Sequence, residues 1–173
     1  MPIWRQRYDG PGLLQMNAVY DWINATWLHN FMVQSTVAFT AAETLHFMGL
    51  TVLFGALMVL DLRGLGLFAK IPLLTAHKLA PVAIGAFLVN LLTGVAFISS
   101  DPIHYFEDLS FKIKMFAILV AGLNAVIYEL LVFQPLKNGR SDVENGIIIR
   151  ITSAASLFLW AIVLIFGRLI PYV

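Results

Sequence analysis

Four apolar stretches punctuate the chain, at about residues 38–60, 79–99, 112–133 and 147–170. Each is near the roughly 20 residues that an α-helix needs to cross the hydrocarbon of a bilayer. Breakers stand where they should for such spans. Pro81 falls in the first turn of the second, where a proline costs little. Gln134-Pro135 closes the third and Pro171 follows the fourth. Backbone in lipid must satisfy its own hydrogen bonds, so this pattern predicts an all-α membrane protein built as a four-transmembrane-helix bundle.

Ahead of the spans, Val19, Trp22, Ile23, Trp27 and Phe31 recur at helical spacing, with Asp21, Asn24 and Asn30 between them. This predicts an N-terminal amphipathic interfacial helix over residues 17–33, its tryptophans at the bilayer surface. A segment packed on the end of the bundle is the alternative. The polar opening, with Gly10-Pro11-Gly12 as a breaker, is loop-like and carries no signal-peptide core. Two regions result: an extracytoplasmic segment, 1–37, and the bundle, 38–173.

Composition supports the membrane reading. The chain is 60% hydrophobic and 12% charged, against about 25% charged in soluble domains. A net charge of +1 gives no reason to expect nucleic acid as a partner. With no cysteine, thiolate metal sites and iron–sulfur clusters are excluded. Arg63, Lys70 and Lys78 lie in one loop and Lys137, Arg140 and Arg150 in another, whereas loop 100–110 holds Asp101, Glu107 and Asp108 without a Lys or Arg. The positive-inside rule then places both termini outside the cytoplasm.

The chemistry concentrates in the first span. Glu43 and His46 stand three residues apart, on one helical face. Ionisable groups at membrane depth are costly and mark function by default. The topology brings Thr93, His104, Tyr105 and Lys114 to the same end, so Glu43, His46, His104 and Lys114 are the candidate site residues. His77 is at the opposite end and, like His29, reads as interfacial. Asp61 and Arg63 read as an ion pair or cap at that end. Lys114, Ala117, Ala121, Asn124 and Tyr128 form one face of the third span, and Thr152, Ser156 and Trp160 a stripe on the fourth. Asn90, Asn124, Thr152 and Ser156 read as helix-packing groups, and Gly49 and Gly55 as points of close approach.

A lone imidazole without cysteine or a second close histidine makes a poor zinc site. Copper could draw on His46, His104 and Met48 or Met115. A b-type haem suits the bundle better, being flat, apolar and in need of one or two axial nitrogens. His46 is then the first ligand, and His104 or a deprotonated Lys114 the second.

Ala42-Glu43-Thr44-Leu45-His46-Phe47-Met48-Gly49, Leu60-Asp61-Leu62-Arg63, Thr93-Gly94, Phe111-Lys112-Ile113-Lys114 and Ala121-Gly122-Leu123-Asn124-Ala125 resemble a family of uncharacterised bacterial four-span integral membrane proteins. More distantly, the pattern is similar to the membrane protoporphyrinogen oxidase of the oxygen-independent type and to copper-resistance membrane proteins. In the oxidase family a histidine and a lysine are associated with haem, which the resemblance carries to His46 and Lys114. Tyr128 stands where that family has a histidine. The expectation is a membrane subunit that binds haem b and takes part in electron transfer beside other membrane or periplasmic subunits. The alternatives are a structural or assembly subunit and a copper-handling protein.

Overall fold

A computed structural model describes residues 14–170, and the loop-like opening through Gly10-Pro11-Gly12 lies outside them. The described residues are helical almost throughout: α1 (Leu14–Asn24), α2 (Trp27–Gln34), α3 (Thr36–Gly64), α4 (Leu73–Ser100), α5 (Pro102–Glu107), α6 (Leu109–Lys137) and α7 (Ile147–Leu169). Helices α3, α4, α6 and α7 are each long and apolar enough to cross a membrane. The protein is a multi-pass membrane protein of four spans, preceded by short helices.

Side chains set the helix starts. Ser35 caps α3 by accepting from the Ala38 amide at 3.2 Å, so the first span begins at residue 36. Asp108 caps α6 through the Phe111 amide at 2.6 Å, so the third span begins at 109 rather than 112. The predicted single helix over 17–33 is two helices. Thr26 breaks it, donating to the Ile23 carbonyl at 2.6 Å and capping α2 through the His29 amide at 3.2 Å.

The third span also outruns its expected stop at Gln134-Pro135. Pro135 has no N–H, and its ring crowds the carbonyl one turn back. Residues Glu129–Phe133 widen into a π-turn, which makes room, and the helix continues to Lys137. It ends at Gly139, whose φ of +90° is open to glycine at little cost. The Arg140 amide reaches back to the Pro135 carbonyl at 3.0 Å and the Gly139 amide to Leu136 at 3.0 Å, which closes the helix end.

The bundle is two helix pairs joined at one seam. α3 packs along α4, α6 along α7, and α3 against α7 in the middle. Gly49 and Gly64 make these approaches close. A methyl on Gly49 would meet Asn90 Nδ2 at 2.8 Å, and one on Gly64 would meet Ser153 Oγ at 2.1 Å. Gly55 was expected to pack in the same way, but nothing lies within 4 Å of its added methyl. α4 and α6, although consecutive, do not pack along one another. That gap holds both clefts of the molecule described below.

α2 lies on the end of the bundle against α4, with Met32 buried and His29 Nδ1 donating to the Ser99 carbonyl at 2.7 Å. Trp22 and Trp27 stay more than two-thirds exposed, and Phe31 is exposed beside them. The short helices thus rest on the bundle and present aromatic rings outward, as an interfacial segment would.

Candidate functional site

Two clefts occupy the gap between α4 and α6, one towards each end. Leu53, Ala56, Ala83 and Ala86 form a buried apolar layer between them, with Phe87 and Trp160 packed against it. The Phe87 and Trp160 rings meet edge to face, their centroids 6.4 Å apart.

The cleft at the His46 end encloses about 200 Å³. Its walls are mostly apolar and aromatic, among them Phe87, Phe97, Phe111 and Trp160, and its polar lining is His46, Asn90, Tyr105 and Lys114. His46 is fixed from the second span: its Nδ1 lies 2.8 Å from Thr93 Oγ1. The Thr93 hydroxyl gives its single proton to the Val89 carbonyl, also at 2.8 Å. With its proton on a carbonyl the hydroxyl accepts from His46, the arrangement in which the ring is protonated at Nδ1 and keeps a lone pair at Nε2. An edge contact with Phe97, 5.3 Å between centroids, holds the ring plane.

Lys114 comes to the same cleft from the third span. Its stem runs beside the fourth, where an added methyl on Gly167 would sit 3.1 Å from Nζ. Among the described residues, no carboxylate lies within ion-pair distance of this ammonium.

The other two candidates are not brought in. His104 is exposed and does not line the cleft. α5 begins at Pro102 under an Asp101 cap, and neighbouring residues on a helix point in different directions. Tyr105 takes the inward direction, and His104 only touches it edge to face. Burial raises the Tyr105 phenol above its usual value, and the carboxylates of Asp101 and Glu43 push the same way. Glu43 is exposed at the rim, acting on the cleft through space. A copper set of His46, His104 and a methionine is not assembled either. Met115 lines the cleft with His46, but His104 stays outside it, Met48 is well exposed outside the lining, and no three His, Asp or Glu converge among the described residues.

The cleft at the other end is larger, about 860 Å³. Its polar lining is Asp61, His77, Asn124, Tyr128, Glu129, Thr152 and Ser156, with Lys78 and Lys137 at the membrane end. The expected Asp61–Arg63 pair does not form, because residues two apart on a helix face away from each other. Arg63 is instead buried against the Ile71 carbonyl and the carboxylate of Glu144. Asp61 is 6% exposed, and its Oδ2 has no hydrogen-bond partner. The buried Tyr128 hydroxyl also has none. His77 is no mere interfacial residue: its Nε2 is 3.3 Å from Glu129 Oε2, and its ring stacks on Phe133. Asn124 donates to the Thr152 carbonyl at 2.9 Å, tying the third span to the fourth as expected.

Sequence reasoning missed this second polar cluster by reading each member singly, as cap, interfacial or packing group. The available signal was shared depth: Asp61 at the end of the first span, His77 at the start of the second and Tyr128 late in the third lie at one level.

Neither the curated proteins nor the solved structures contain a match to this chain. Residues 19–173 match a family of unknown function, DUF6644, and the chain belongs to that family.

Proposed function

We propose that this chain is a haem-binding subunit of the bacterial inner membrane that takes part in electron transfer within a larger complex. One observation carries the reading: the Thr93 hydroxyl locks the His46 ring so that the Nε2 lone pair is available at an apolar, aromatic cleft. A metal-ligating imidazole is normally held in this manner, through a hydrogen bond at its other nitrogen. The similarity of His46 and Lys114 to the haem-associated pair of the protoporphyrinogen oxidase family points the same way.

The donor set fits a haem iron. His46 Nε2 and a neutral Lys114, which line the same cleft, are the residues that would hold it. Bound haem would supply one-electron redox chemistry. At 200 Å³ the cleft is below the roughly 300–1,000 Å³ typical of small-molecule sites. Admission of a porphyrin therefore requires α4 and α6 to part. Packing between them is sparse. The charge asymmetry of the loops supports an orientation with the His46 end and both termini on the periplasmic side. The exposed rings of Trp22, Trp27 and Phe31 suit the headgroup layer beside neighbouring subunits.

The test is an absorbance spectrum of detergent-purified protein from haem-replete cells. A Soret band that is lost in His46→Ala supports the reading. A colourless protein that assembles normally, with or without His46, favours a structural or assembly subunit.

A further inference from the structure

We propose that the cleft at the Asp61 end is a binding site for a prenylated quinone or quinol drawn from the bilayer. The proposal stands on its own observations and does not depend on haem at the other end.

Access comes first. The gap between α4 and α6 opens on the lipid-facing surface, and the rim residues Ile84, Val126 and Leu130 are apolar and at least half exposed. A molecule dissolved among acyl chains reaches the cleft sideways without meeting water. The volume of about 860 Å³ is well inside the range of small-molecule sites.

The deep end then selects the head group. Buried polar atoms are nearly always hydrogen-bonded, and an orphan costs on the order of the bond it lacks. Here two orphans line one cleft: the Asp61 Oδ2 and the Tyr128 hydroxyl. One is an acceptor when ionised, and the other always has a proton to give. Among the described residues neither atom has a hydrogen-bond partner: Ser156 bonds the Asp61 carboxyl but leaves its Oδ2 open. Arg63, the nearest candidate by sequence, is committed to Glu144 and Ile71.

A ring with two oxygens across it answers both. As a quinone it accepts from Tyr128, and as a quinol it also donates to Asp61. A fatty acyl chain or a sterol-like hydrocarbon answers neither. A phosphate head group would bring negative charge to a buried carboxylate, while the two lysines available to it, Lys78 and Lys137, are exposed at the membrane end of the cleft. His77 and Glu129 complete the charged lining there, 3.3 Å apart.

The experiment is calorimetric titration of the detergent-solubilised full-length protein with decylubiquinone, with decylbenzene as a probe that keeps tail and ring but lacks the oxygens. The expected result is saturable decylubiquinone binding weakened about tenfold by Tyr128→Phe, and saturable binding of its reduced form, decylubiquinol, weakened about tenfold by Asp61→Asn, the scale of one lost hydrogen bond. Ile84→Trp, which fills the cleft at its rim, should abolish binding, and Leu91→Trp, which narrows the opposite cleft, should leave it unchanged. Equal binding of decylbenzene would overturn the proposal, as would a folded Tyr128→Phe protein with undiminished affinity. Loss of binding in Leu91→Trp would also overturn it, by moving the ligand to the opposite cleft. Should Asp61→Asn fail to fold, Tyr128→Phe and Ile84→Trp decide the matter.

Discussion

Arg63, near the end of the first span, forms its ion pair with Glu144, in the short 3₁₀ turn just before the fourth. The pair fastens the loop between the third and fourth spans onto the first, beside the larger cleft. Its two sides differ in exposure: the Arg63 side chain is 9% exposed and that of Glu144 29%. Removing the acid strands a buried guanidinium. Glu144→Gln should therefore destabilise the purified protein by about 1–3 kcal/mol, read as a lower thermal midpoint in detergent. The double change Arg63→Met with Glu144→Leu removes both charges and should recover most of that loss.

Thr93 holds His46 by a single hydroxyl. Thr93→Val keeps the shape and removes the acceptor, so the ring is freed to turn. A haem-loaded protein should then show a shifted Soret maximum or reduced haem retention, with secondary structure by circular dichroism unchanged. Thr93→Ser preserves the hydroxyl and should behave as the parent does.

The glycines of the first span separate by what surrounds them. Gly64→Ala drives a methyl into Ser153 Oγ, a fully buried group, and should cost about 1–3 kcal/mol. Gly55→Ala meets nothing and should be neutral or stabilising by up to ~1 kcal/mol, since alanine is the better helix former. Thermal unfolding of the two variants side by side checks the contrast.

Tyr105 gives a pH dependence whose sign follows from its raised phenol. The folded state holds that proton more tightly than the unfolded chain does, where the group titrates near its ordinary value of 10.0. Its contribution is full below that pH and is lost as pH rises through the higher folded value. Tyr105→Phe should accordingly flatten the fall in stability above about pH 10, measured as thermal midpoint against pH for parent and variant.

Much of the architecture was legible because lipid leaves few choices. A run of some 20 apolar residues can only be a helix there, and all four spans emerged within a turn or two of their expected bounds. The second reached back to Leu73 and the third on to Lys137 for local reasons, a 3₁₀ turn at His77–Leu79 and the π-turn before Pro135. The site was legible only in part. His46 and Lys114 share a cleft because they share a depth, which counting residues reveals. That His104 faces away while Tyr105 faces in depends on where α5 starts, and the Asp101 cap decides it. Which helices fail to pack was hidden altogether. Short loops suggest that consecutive spans are neighbours, yet α4 and α6 stand apart, and both clefts exist because of it.

The most direct test is the haem-to-protein ratio of parent and His46→Ala proteins, purified in parallel from the same haem-supplied membranes. If the imidazole holds iron, the parent approaches a whole-number ratio and the variant falls close to zero while remaining folded. Equal ratios in the two proteins, or no haem in either, would contradict the assignment of His46.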